Sequence, residues 1–117
     1  MRAQIRHLLT PDIDPTTFVP KDPGRFMFVV QMLAGPSDGQ GEESFQFTVC
    51  TPGWLQDQVN HEGPMPGAYH VVVGTFDWPA LEVLFQRLVF QCAGADWNEV
   101  AIKLSRYGLY EFADGTA

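Results

Sequence analysis

What most restricts the fold is a pair of strand-like runs joined by a glycine-rich link. From Arg25 to Ala34 the chain is nearly all apolar, with Phe26, Phe28, Val30 and Met32 on one face and Met27, Val29 and Leu33 on the other. Such a run suits a central strand covered on both sides. Glu43 to Thr51 alternates in period two: Phe45, Phe47 and Val49 fall on one side, Ser44, Gln46 and Thr48 on the other. Between the runs, Gly35 to Gly41 reads as a flexible hairpin loop. An antiparallel pair with one apolar face needs helices to cover it, and the rest of the chain supplies them.

Thr51 to Leu55 carries a helix start, with threonine as N-cap and Pro52 in the first helical position. The prolines and glycines of Asn60 to Gly67 end that helix. Ala68 to Gly74 is β-branched and apolar, a further strand. Asp77 is placed to cap a helix running to about Gln91, in which Trp78, Leu81, Phe85, Leu88 and Cys92 recur at three- and four-residue spacing. Asp96 to Glu99 has the form of a capping box, Trp97, Val100, Ala101 and Leu104 then share a face, and Gly108 suits a C-terminal cap. Residues 2–9 form a first strand, Ala3, Ile5 and His7 alternating with Arg2, Gln4 and Arg6. Leu109 to Phe112 forms a last one. The order predicts an α+β fold: a mostly antiparallel sheet of four to five strands with two to three helices packed on one face. At 117 residues and 45% apolar, the chain reads as one domain, 1–117, with a core that needs no metal or disulfide.

The two thiols, Cys50 and Cys92, lie in apolar surroundings without a CxxC partner, so buried reduced cysteines are expected. No apolar stretch approaches the roughly 20 residues of a membrane span, and Met1 to Arg6 lacks the apolar core of a secretory signal. A cytoplasmic protein is the expectation.

Charge is unevenly spread. No lysine or arginine occurs between Arg25 and Arg87, an interval that holds Asp38, Glu42, Glu43, Asp57, Glu62, Asp77 and Glu82. Those seven acids equal the whole formal charge of −7. A one-signed surface steers a basic partner rather than a nucleic acid. Solubility alone is the plainer account of the same acids.

Gly41 to Leu55, with its acidic strand start, alternating aromatics, Cys50-Thr51-Pro52 and Trp54-Leu55, resembles the immunity protein 8 family of bacterial polymorphic toxin and contact-dependent inhibition systems. Phe76-Asp77-Trp78 leading to Arg87-Leu88-Val89 and Cys92 fits the same pattern. So do Trp97 to Val100 with Leu104, Arg106 to Gly108 and Glu111-Phe112, and the opening around Pro11-Asp12-Ile13 and Asp22-Pro23. The resemblance implies an α+β antitoxin that binds the C-terminal domain of a cognate toxin inside the cell and abolishes its activity without catalysis. The expected partner is a basic domain, of which a nuclease is the leading example. No cofactor, metal, nucleic acid or membrane enters this reading, and the resemblance supplies no functional residues.

The candidate toxin-binding residues come from the charge pattern: Asp38, Glu42 and Glu43 on the glycine-rich loop, then Asp57 and Glu62. Sharper chemistry lacks support. Glu42 and Glu43 are adjacent on a strand, so they point to opposite faces and cannot flank one substrate atom. His61, Glu62 and His70 match no metal-ligand spacing. Cys50 lacks the electropositive pocket of a nucleophile. Trp54, Trp78 and Trp97 each open a helix and serve as anchors onto the sheet, at least two of them in the core. The alternative to an antitoxin is a small-ligand or regulatory binding domain with a pocket between sheet and helices, near Phe28, Phe47 and Trp54.

Overall fold

A computed structural model describes residues 1–112, so residues 113–117 of the expected 1–117 domain lie outside the described residues. Its elements are β1 (Ala3–Leu9), β2 (Met27–Pro36), β3 (Glu43–Cys50), α1 (Pro52–Glu62), β4 (His70–Val72), α2 (Trp78–Gln91), α3 (Trp97–Leu104) and β5 (Leu109–Tyr110). The strands form one sheet in which β1, β2 and β3 are successive antiparallel neighbours. Two strands share the outer edge of β3, β4 parallel along Thr48–Cys50 and β5 antiparallel at Phe45 and Gln46. The α+β architecture and the mostly antiparallel sheet are as the sequence predicts.

Register fixes the core. Val30 lies opposite Phe47 and Met32 opposite Phe45, so Phe28, Val30, Met32 and Ala34 share a face with Phe45, Phe47 and Val49. All seven are fully buried. Onto that face α2 brings Leu81, Phe85 and Val89, and α3 brings Val100, Ala101 and Leu104. Phe47 and Phe85 meet edge to face with centroids 5.0 Å apart. Phe18, from the long β1–β2 connection, closes one end of the core against Phe26, Phe28 and Phe76. Each such side chain contributes about 1.5–3 kcal/mol over an exposed one.

Several expectations need correction. The second face of β2 is not covered along its length: Met27, Val29 and Leu33 are only half-buried. Cover there is confined to one end, where Cys50 is fully buried and Trp54 of α1 lies 6.4 Å from the His70 ring. α1 itself holds no buried residue, so Trp54 is not part of the core that Trp78 and Trp97 pack against. In β1 the register shifts between Ile5 and His7, a bulge that turns His7 outward and Leu8 toward the core. In α2 it is Val89, not Leu88, that is buried alongside Leu81 and Phe85. The capping box is displaced by one residue: Asp96 Oδ1 accepts from Glu99 N–H at 2.9 Å, while Glu99 Oε2 accepts from Ala95 N–H. Gly108 is not a left-handed cap. A Cβ there would lie 2.6 Å from Phe47 Cζ, so glycine is required by close approach to the core.

Candidate functional site

Glu43 lies opposite Ala34 and in phase with Phe45 and Phe47, so its carboxylate points to the helix side, at the rim of the core. There its Oε1 accepts from Trp97 Nε1–H at the start of α3 and from the Tyr110 hydroxyl at 2.7 Å. Tyr110 in turn stacks on Phe45, with centroids 4.8 Å apart. Burial first, then the bond to Glu43 and repulsion by it, push the Tyr110 phenol well above its ordinary pKa. Next door, Ser44 N–H donates to Glu111 Oε1 at 2.9 Å and Glu111 N–H to Ser44 O at 3.0 Å. One end of the sheet thus gathers a carboxylate from the middle of the sequence, Glu43, and one from near its C-terminal end, Glu111.

The loop above this rim is anchored rather than free. Arg6, beside the β1 bulge, donates through Nη2 to Pro36 O and Gly39 O, both at 2.7 Å, and through Nη1 to Gln4 Oε1. Ser37 N–H donates to Arg2 O at 3.0 Å. At Gly35 a Cβ would sit 2.0 Å from Gly41 O, so the two limbs of the loop touch through a position that only glycine permits. The flexible hairpin that the glycines suggest is therefore replaced by a braced one. A cleft of about 420 Å³ opens beside it, lined by Pro36, Gln40, Gly41, Glu42, Glu43 and Trp97.

Of the five acids proposed from sequence, Glu42 and Glu43 line this cleft and Asp38 sits on the braced loop outside its lining; Asp38 and Glu42 are exposed and Glu43 is half-buried. Asp57 does not join them. It pairs with Arg25 at 3.3 Å, and Arg25 leads into Met27, which lies opposite Cys50. Glu43 and Cys50 are the ends of an eight-residue strand, about 23 Å apart at ~3.3 Å per residue. Glu62 is the last residue of α1 and exposed. The cation-free interval of the sequence is thus partly refilled in space, by Arg25 at Asp57 and by Arg6, which binds the carbonyls of Pro36 and Gly39 on the loop that carries Asp38. Arg6, Trp97, Tyr110 and Glu111 belong to this rim and were not foreseen. The phase of Glu43 with Phe45, Phe47 and Val49 was the available signal that its carboxylate faces inward.

Elsewhere, Cys50 and Cys92 are buried free thiols. Desolvation raises both, and Lys103 and Arg106 partly offset the rise at Cys92. Phe28 and Phe47 are packed into aromatic contacts rather than lining a chamber with Trp54. Among the described residues no group of three His, Cys, Asp or Glu side chains is arranged to hold a metal. No helix there is long and apolar enough to cross a membrane.

A model of the immunity protein 8 family matches residues 3–114, a span that contains every element of the fold. The chain belongs to the immunity protein 8 family. No curated protein and no solved structure matches it. As an immunity protein of this family it acts in a toxin–immunity system and has a cognate toxin as its partner. The braced loop and its acidic rim lie inside the matched region, on the same elements that make the core.

Proposed function

We propose that this immunity protein neutralises its toxin by binding the toxin's C-terminal domain in the bacterial cytoplasm, as one domain over 1–117 and without chemistry of its own. The toxin meets the rim of the sheet at Asp38, Glu42 and Glu43, and its contacting surface is basic, as a nuclease active site is. Glu62 and Asp57 extend the negative field, Asp57 weakly because Arg25 already neutralises it. The toxin comes from a polymorphic, contact-dependent inhibition system.

One observation carries the reading. Glu43 is a carboxylate fixed by two neutral donors on a single oxygen, with no cation paired to it among the described residues. A negative charge held in place before binding loses little side-chain entropy on meeting a basic group. Beside it Glu42 is exposed at the end of a loop whose backbone is braced, so it adds negative charge next to the fixed carboxylate.

The test is co-expression with the toxin encoded next to this gene. Asp38→Lys with Glu42→Lys leaves the Glu43 bonds intact and reverses the exposed charge. Growth protection falls, and association slows by about tenfold or more at low ionic strength, the difference shrinking as salt screens it. Unchanged protection and unchanged association kinetics rule out this surface.

A further inference from the structure

β4 forms an open edge of the sheet. Thr48 N–H donates to Tyr69 O at 2.9 Å and Val73 N–H to Cys50 O at 2.8 Å. In a parallel pair alternate residues bond to the neighbouring strand, so Tyr69, Val71 and Val73 face β3 while the peptide groups of His70 and Val72 point away from it. Among the described residues no strand lies beyond them, and Val72 is 54% exposed. Such an edge is a template for another strand.

Three further features sit beside it. A groove of about 360 Å³ runs between this edge and α2, lined by Phe47, Leu84 and Leu88 and closed by Arg106 and Tyr107. Arg106 is exposed and makes no ion pair among the described residues. Tyr69, also on the lip, is among the described residues the one non-glycine residue with positive φ, at 66°. A side chain in that region is strained, and such strain collects at binding sites. The strained turn is held by His70 Nδ1, which is 2.8 Å from Ala68 O and 3.1 Å from Gly67 O.

We propose that this flank receives an extended segment of the toxin. The segment pairs its main chain with His70 and Val72, seats an apolar side chain between Leu84, Leu88 and Tyr107, and presents a carboxylate to Arg106. Strand addition supplies affinity that is indifferent to sequence, while the groove and the charge select the partner. Among the described residues Arg106 is the only lysine or arginine lining the groove, in a molecule that carries −7 overall, so a carboxylate is the side chain it distinguishes. The inference rests on the toxin-binding reading and adds a contact remote from the acidic rim.

The experiment measures amide exchange by NMR in the free protein and in its complex with the purified toxin domain encoded beside it. In the complex, exchange at His70 and Val72 slows by at least about tenfold. Val72→Pro removes an outward N–H without breaking a bond to β3. Arg106→Glu leaves β4 untouched and reverses the charge. Each weakens the complex by about 30-fold. A complex that leaves these amides unprotected and is unmoved by Arg106→Glu, yet responds to Asp38→Lys with Glu42→Lys, overturns the β4 proposal alone. Absence of any complex overturns both readings.

Discussion

Replacing Thr51 by valine removes one oxygen and keeps the shape of the side chain. That oxygen has two tasks at the point where the sheet hands over to α1. It accepts from Trp54 N–H at 3.3 Å as the N-cap and from Phe26 N–H at 3.2 Å across the core edge, and Thr51 is fully buried. Losing an N-cap acceptor costs about 0.5–2 kcal/mol. Leaving the buried Phe26 N–H without a partner costs about 1–3 kcal/mol more. The expected loss is about 2–4 kcal/mol, against a total stability on the order of 5–15 kcal/mol for a domain of this size. Urea unfolding followed by tryptophan fluorescence reads it as a lower midpoint at constant slope. The melting temperature falls by about 8–16 °C. Thr51→Ser is the control, since it keeps the oxygen and loses one buried methyl, about 1 kcal/mol. If valine and serine destabilise equally, within about 0.5 kcal/mol, the oxygen does not link strand and helix, and the account of this junction is wrong.

Other positions give separate expectations. Gly108→Ala drives a methyl into the Phe47 ring and costs about 1–3 kcal/mol by the same unfolding assay, whereas a left-handed cap would show its strain without displacing Phe47 in the NMR spectrum. Glu43→Gln retains an acceptor for Trp97 and Tyr110, so it changes stability by no more than about 1 kcal/mol while slowing toxin association. Glu43→Ala loses both bonds and about 2–4 kcal/mol. Tyr110 gives a pH dependence. Because its folded pKa is raised, the folded state keeps the proton where the unfolded state releases it. Its contribution is therefore complete below about pH 10 and declines as pH climbs above that value. Tyr110→Phe should show a shallower alkaline loss than the parent, and identical alkaline slopes would contradict a phenol raised by burial and by Glu43.

How far the sequence reaches can be judged from particular residues. The period-two pattern of Phe45, Phe47 and Val49 was sufficient to define β3, and the threonine–proline pair at Thr51 and Pro52 marked the start of α1, because both signals are local. Asp77 and Asp96 likewise announced their helices. What escaped depends on distant partners. The bulge after Ile5, the bracing of the loop by Arg6, and the seat of Gly108 on Phe47 require knowing which segments meet in space. The both-sides cover expected for β2 failed because an apolar run records hydrophobicity, not whether a second layer exists to meet it. At the candidate site, the acids were visible as composition, but a charge gap in one dimension did not reveal Arg6 returning to the carbonyls of Pro36 and Gly39 or Arg25 to Asp57. Glu43 is visible as an acid, and its phase with Phe45 and Phe47 marks its second, structural task.

The most direct test of neutralisation by binding is a titration of the purified cognate toxin domain with this protein, following the toxin's own activity. Stoichiometric inhibition predicts a linear fall to zero at one equivalent, with no turnover of toxin substrate by the immunity protein alone. Full toxin activity in the presence of excess immunity protein, or substrate consumed by that protein unaided, would contradict it.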